Sequence, residues 1–484
     1  RELDEGFAPK ATSFAGESFI TDAECARCVA DAFAEFGIDG SLIGPSIQAL
    51  IDQKKILPRL DPKITRLRPE IVEGTDKLEW KDKLVPGKGL GFVTPEQLRL
   101  EADLRAIAGR LHADKSGALD EATVRKRLLA MQRASGKNSD GSYRTRDEQI
   151  EGIIHLVCRS GRISSLEGTA GSGKTWSVIE ATKMFPSMRV LSTAIGWERT
   201  SELHRDGVAQ GGWKNSDGMA LAALIAAYDR RKENPRSHGP QIDANTLIVV
   251  DEACQVDSKT MLRIFQIAEE TGCRVLLTGD RIQTKPIAAG DGLALVTSVT
   301  GFMRLDESVR MKLEKDKTIA TLLSAGRADL ALDLMDKHNQ IHLESTATKL
   351  AERAVADAFK YADTHPSQTA VLLARKNTDV RGIIEIVRKE LIARGELGEE
   401  EITFTARTRF GSNELGMRTG EEIRFGRRYK ELDVKNGTFG TILKIERGRK
   451  EDSARLTVRI YEAEGKFRDV EFDTAEYQNK NGPM

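Results

Sequence analysis

The sequence predicts an α/β chain built around a parallel sheet with helices on both faces. Three observations carry that expectation. First, short apolar runs at Ile163–Leu166, Val190–Thr193, Leu247–Val250, Val275–Thr278 and Ala370–Leu373 alternate with helical pattern. Strands buried on both faces read as such runs. Second, residues 168–175 spell Gly-Thr-Ala-Gly-Ser-Gly-Lys-Thr between the first run and the helical stretch Trp176–Phe185. A glycine-rich turn in that position points backbone N–H groups, and the positive end of the next helix, at a phosphate. Third, from Ile402 the pattern changes to short strands with turns, with hairpin signals at Asn436-Gly437 and Gly465. That change predicts a small β-barrel.

The elements before the loop follow in order. Residues 1–20 show no periodicity; Thr21 to Glu24 form a capping box, after which Cys25, Cys28, Val29, Ala32, Phe33 and Phe36 recur at helical spacing and Gly37 stops the helix. Both cysteines fall on the apolar stripe, which favours packing over a redox or zinc pair. A second helix starts at Pro45 and carries Ile47, Leu50 and Ile51 inward, and Ile64–Trp80 is extended. Helices with a β-ribbon predict a winged-helix-like module over residues 1–93. Thr94-Pro95-Glu96-Gln97 starts another helix, with proline at its first position, and helical pattern runs to about Ala134 before the polar linker Ser135–Tyr143. This makes 94–146 a helical connector. The α/β pattern then divides into a first lobe, 147–300, part of a second, 301–400, and the barrel, 401–484.

Composition bounds the function. A chain of 484 residues exceeds one core and predicts two to four domains. Lys+Arg and Asp+Glu balance at 74 each, so any nucleic-acid surface is local rather than global. No apolar run reaches membrane-spanning length, which predicts no membrane insertion. Five cysteines without regular spacing fit a reducing cytoplasm. The opening Arg1 predicts a piece of a longer protein.

The loop residues Gly168, Thr169, Ala170, Gly171, Ser172 and Gly173 are the expected phosphate cradle. Lys174 then reaches the β- and γ-phosphates and the Thr175 hydroxyl sits on Mg²⁺, so ATP with Mg²⁺ is the expected ligand. Thr246–Glu252 is an apolar strand ending in two carboxylates. Asp251 suits the metal, and Glu252 suits the attacking water, whose proton it orients or takes. The plainer reading is an acidic pair capping the next helix. Val275–Gln283 is another strand ending in a polar turn, where the Gln283 amide both donates to phosphate and accepts from water. Cys254 has no histidine partner in sight, which argues against a nucleophile.

Gly-Thr-Ala-Gly-Ser-Gly-Lys-Thr, Asp251-Glu252-Ala253-Cys254 and Gly279-Asp280-Arg281-Ile282-Gln283, in that order, resemble motifs I, II and III of superfamily-one helicases. Gln149 resembles that family's adenine-reading glutamine, and Thr193-Ala194 takes the place of a motif that contacts single-stranded DNA. Leu305 to Arg310 is similar to motif IV, which gives Arg310 the γ-phosphate. The motif departs from the family at Val309-Arg310-Met311, where paired arginines and a glutamine are usual. Val434 to Gly440 resembles the small barrel inserted in the RecD-like branch. Over residues 20–484 the chain resembles the helicase region of TraA-type conjugative relaxases. The resemblance implies RecA-like P-loop lobes, ATP hydrolysis, movement along single-stranded DNA in the 5′-to-3′ direction, a covalently linked relaxase domain upstream, and conjugative coupling or secretion machinery as partner. The family's last two motifs do not occur before Met484, so the second lobe is expected to be incomplete and the isolated chain a weak ATPase.

Arg424-Phe425-Gly426-Arg427-Arg428-Tyr429-Lys430 interleaves cations with aromatics, a composition that pairs phosphates and stacks bases. Arg427 and Arg428 are therefore candidate DNA contacts beside Thr193, with Trp197 and Trp213 flanking the latter's segment. A solvated hairpin face explains the basic run equally well. The motor reading competes with a nucleotide-dependent DNA-binding scaffold lacking motor activity and with a small-molecule kinase. Stimulation of ATP hydrolysis by single-stranded DNA discriminates the three.

Overall fold

The computed structural model describes residues 20–21, 30, 43–61, 64–71, 78–85 and 89–483, except 139–140, 170, 209–217, 307–310, 312, 409–410, 427–428, 430, 435–436, 451–452, 462–465, 477 and 480–481. The chain divides into two compact units, Arg1–His338 and Asn339–Met484.

In the first unit the two-residue strand Ile20–Thr21, which pairs antiparallel with Gly91 and Phe92, precedes helix α1 (Ile43–Asp52), whose Ile47, Leu50 and Ile51 pack on buried Ile56 as their spacing predicts. Strands β1 (Leu57–Asp61) and β4 (Gly89–Val93) pair antiparallel, as do β2 (Ile64–Ile71) and β3 (Leu78–Val85), which form the expected ribbon. The first expected helix, with Cys25 and Cys28, lies outside the described residues. Helix α2 (Pro95–Ala113) starts where proline and Thr94 predict, with Thr94 Oγ1 accepting from Gln97 N–H at 3.2 Å. Its buried Leu104, Ile107, Ala108 and Leu111 form one apolar stripe. The continuous helix expected to Ala134 is broken. Gly117, at φ +86°, lies in a turn between α2 and α3 (Glu121–Ser135), and Asp120 caps α3 through Thr123 N–H at 2.8 Å.

Five strands then form one parallel sheet: β5 (Ile163–Gly168), β6 (Arg189–Thr193), β7 (Thr246–Val250), β8 (Arg274–Gly279) and β9 (Met303–Leu305). Their order across the sheet is β9-β5-β8-β7-β6. Four of the five expected strands take their places. The strand period of two sends Leu247 and Val249 to one face and Ile248 and Val250 to the other. One face is covered by α2, α7 (Leu221–Glu233), α8 (Ser258–Thr271) and α9 (Gly292–Thr300), the other by α3, α4 (Asp147–Ile154) and α5 (Lys174–Thr182). This is an α/β, RecA-like lobe. Helices α6 (Trp197–Arg205), α10 (Glu314–Ser324) and α11 (Ala328–Lys337) complete the unit.

In the second unit α12 (Ala347–Thr364) and α13 (Asn377–Ala393) precede a hairpin of β10 (Ile402–Thr408) and β11 (Gly411–Met417). A four-stranded antiparallel sheet follows, β12 (Glu422–Arg424), β13 (Phe439–Arg447), β14 (Ala454–Tyr461) and β15 (Phe467–Asp473). Phe404 of β10 shares that sheet's core with Ile442, Leu456, Val458 and Phe472. The strand expected at Ala370–Leu373 is not one. Val371 and Leu373 are 71% and 90% exposed, and no strand among the described residues pairs with them. Without a neighbouring strand, an apolar run has no ladder to join.

Candidate nucleotide site

The site gathers at the carboxyl ends of the parallel strands. β5 ends at Gly168 and α5 begins at Lys174, so the glycine-rich turn delivers its N–H groups to the helix's positive end. Gly173 caps α5 at φ +87°, and a β-carbon there would lie 2.5 Å from Gln149 Nε2. Glycine is thus required twice, for the left-handed backbone and for the approach of Gln149. That glutamine is buried on α4, where its Oε1 accepts from Arg146 N–H at 3.0 Å, and Arg146 Nη2 donates to Ser172 O at 2.5 Å. The far side of the loop is strapped to β9. Thr169 N–H donates to Leu305 O at 3.1 Å and Thr169 Oγ1 to Asp306 O at 3.2 Å. A β-carbon on Gly168 would lie 2.9 Å from Leu305 O.

Lys174 Nζ donates to Gly168 O at 2.6 Å and Thr169 O at 3.1 Å. Burial pushes its pKa down, against the upward pull of Asp280, Glu252 and Asp251. Three carboxylates at the ends of β7 and β8 thus favour the charged form of the loop lysine. Asp251 is buried, its N–H donates to Thr193 O at 2.9 Å, and its Oδ2 accepts from Arg199 Nε at 2.7 Å. Arg199 Nη2 also donates to Thr175 Oγ1 at 3.3 Å. A cation thus already bridges the two groups expected to hold Mg²⁺, so these donors suit a metal bound with the nucleotide.

Glu252 follows at φ +50°, ψ +40°, a left-handed conformation that strains a residue with a β-carbon. Cys254 Sγ donates to Glu252 Oε2 at 3.7 Å, and burial lifts the Cys254 thiol to about 11, which keeps it protonated and unreactive near neutrality. After β8, Gln283 N–H donates to Asp280 O at 3.0 Å and its Nε2 to Asp280 Oδ2 at 3.3 Å, holding the glutamine in a tight turn.

A family model described as an AAA domain matches residues 144–346, the segment that contains all of these groups. The conjugal transfer protein TraA of Agrobacterium fabrum is 25% identical over 397 residues, 82% of this chain and 32% of that protein. TraA of Rhizobium radiobacter is 28% identical over 305 residues, 62% of this chain and 26% of its own length. The chain resembles the TraA conjugal transfer proteins. It spans between a quarter and a third of those relatives. The ATP-dependent DNA helicase Pif1 of a Psychrobacter species is 22% identical over 309 residues, 59% of this chain and 45% of that helicase.

The expected DNA contact Thr193 is fully buried at the end of β6. The exposed side chains of its segment are Ile195 and Trp197. Arg310, Ala170, Arg427, Arg428 and Trp213 lie outside the described residues. Of the aromatics of the basic run, Phe425 is buried and Tyr429 is partly buried against the same core, where their rings complete the second unit's apolar interior. Two residues escaped the sequence reading. Glu167, the one charged residue of the strand Ile163–Gly168 and one position before the loop, was legible as an anomaly. Arg199 carried no signal, since only folding brings α6 beside β7. Among the described residues no helix is long and apolar enough to cross a membrane.

Proposed function

We propose that this chain is an ATP-hydrolysing segment of a conjugative DNA motor, binding ATP with Mg²⁺ and a single DNA strand. The observation that carries the reading is Lys174 hydrogen-bonded to the phosphate-loop carbonyls, with the next residue, Thr175, linked through Arg199 to buried Asp251. The names of the TraA and Pif1 relatives support the same reading.

On this proposal Lys174 exchanges the carbonyls of Gly168 and Thr169 for phosphate oxygens, replacing neutral acceptors with charged ones. Thr175 and Asp251 would hold a magnesium ion, which would supply positive charge to the phosphate oxygens. Glu252 orients water and takes its proton as the water oxygen bonds to the γ-phosphorus and the bond to the ADP oxygen breaks. Gln283 senses the γ-phosphate, Gln149 reads adenine, and Arg310 is assigned to the transferring group. Single-stranded DNA is assigned to the segment around Thr193, through Ile195 and Trp197, and to Arg427 and Arg428. Residues 1–93, 94–146, 147–300, 301–400 and 401–484 are taken as accessory module, connector, first lobe, partial second lobe and inserted barrel. An upstream relaxase domain, conjugative secretion partners and a cytoplasmic location belong to the same proposal.

The test is ATP hydrolysis by the intact protein, with and without single-stranded DNA. The motor requires strong stimulation, whereas its absence, with both ligands still bound, makes the protein a scaffold. Lys174→Ala is expected to weaken binding of a fluorescent ATP on the order of a hundredfold, with the circular dichroism unchanged. Unaltered binding removes that lysine from the phosphate site.

A further inference from the structure

The metal position is spanned by a side chain of the protein itself. Arg199, in the first turn of α6, donates from Nε to Asp251 Oδ2 at 2.7 Å and from Nη2 to Thr175 Oγ1 at 3.3 Å. The planar guanidinium matches this pair because its fixed fork reaches a carboxylate and a hydroxyl at once. The Asp251 side chain is only 4% exposed. A carboxylate so far removed from water needs a cation, and among the described residues Arg199 is the one ion-paired with it.

The third guanidinium nitrogen, Nη1, meets Glu202 Oε2 at 3.0 Å, one turn along the same helix. Glu202 is 42% exposed. Arg199 therefore stands between two carboxylates, one buried in the metal position and one facing solvent. A divalent cation arriving between Thr175 and Asp251 repels the guanidinium, and Glu202 receives it at little cost because that partner is already in contact.

We infer that Arg199 is an internal competitor of Mg²⁺ at the nucleotide site, holding Asp251 and Thr175 when the metal is absent and retiring to Glu202 when it binds. The inference rests on the proposed nucleotide reading. It sets how strongly nucleotide affinity depends on metal, since part of the metal's binding energy is spent displacing Arg199. The displacement also touches the exposed segment before α6. Thr200 Oγ1 accepts from Ala194 N–H at 3.2 Å and donates to Gly196 O at 2.9 Å, so the first turn of α6 and the Ile195–Trp197 surface are braced together.

The experiment is calorimetric titration of ADP into the parent chain and the variants Arg199→Ala, Arg199→Lys and Glu202→Gln, at constant ionic strength, in EDTA and in saturating Mg²⁺. The quantity read is the ratio of the two dissociation constants, EDTA over Mg²⁺. With the competitor gone, Arg199→Ala raises this ratio about fivefold or more above the parent's. Glu202→Gln, which takes away the guanidinium's second partner, lowers it. Arg199→Lys keeps the charge without the fork and falls between Arg199→Ala and the parent. An unchanged or lowered ratio in Arg199→Ala, or a raised one in Glu202→Gln, overturns the inference. ADP that binds none of the proteins overturns the nucleotide site and this inference together, whereas tight ADP binding with equal metal dependence throughout overturns only this one.

Discussion

Glu167 and Arg281 approach to 2.6 Å, a carboxylate with no solvent exposure against a guanidinium about one-third exposed. Glu167 immediately precedes Gly168 of the phosphate loop, and Arg281 lies two residues before Gln283. The pair therefore ties the strand that carries the loop to the turn that carries the sensing amide. Arg281 also stacks over the Phe302 ring at 4.2 Å, and Arg304 lies 3.8 Å from the other carboxylate oxygen. The 2.6 Å contact is close but poorly aligned, so neither Glu167 oxygen has a well-directed hydrogen bond. Burial accordingly lifts the Glu167 pKa above its ordinary value despite the nearby arginines.

That imbalance predicts unequal effects of breaking the pair from its two ends. Arg281→Ala strands a buried carboxylate and should cost about 3 kcal/mol. Glu167→Gln removes the buried charge and leaves an arginine that water can reach, so its cost should be about 1 kcal/mol. Thermal unfolding of the two variants checks the difference. Equal losses would mean that desolvation of Glu167 does not govern the pair.

Glu252→Gln preserves shape and the left-handed backbone while removing the base. ATP binding should stay within about threefold of the parent, and hydrolysis by the intact protein with single-stranded DNA should fall on the order of 10²–10⁴-fold. Single-turnover measurement separates the two. Hydrolysis at the parent's rate would remove Glu252 from the chemistry.

His155, in the π-helical turn that ends α4, is pushed down to about 4 from 6.5, chiefly by burial. A base with a depressed folded pKa supports the fold fully above pH 6.5 and loses that support as pH falls toward 4, by roughly 3 kcal/mol in all. His155→Gln should lack this dependence. Unfolding temperatures of parent and variant from pH 7.5 to 4.5 should converge as the acid range is entered, and parallel curves would show that His155 does not titrate.

Much of the first unit was legible because its signals are local. Short apolar runs bounded by turn residues mark four of its strands, and Gly-Ser-Gly-Lys-Thr between strand and helix leaves the backbone few alternatives. The fifth strand, Met303–Leu305, was missed since three residues carry no usable period. Ala370–Leu373 misled for the opposite reason. Its composition is that of a buried strand, but burial is conferred by neighbours that composition does not contain.

From the chain alone came the identity and order of the groups around the phosphate loop, because phosphate binding demands particular residue types at short range. The tertiary structure alone decided which distant residues complete them. Arg199 meets Asp251, Glu167 meets Arg281, and Leu305 clamps Thr169, each across a gap that only the strand order β9-β5-β8-β7-β6 closes. It also turned Thr193 and Phe425 inward. Contacts of this kind depend on which strands lie side by side, and adjacency in a parallel sheet is set by packing of the whole lobe rather than by any segment within it.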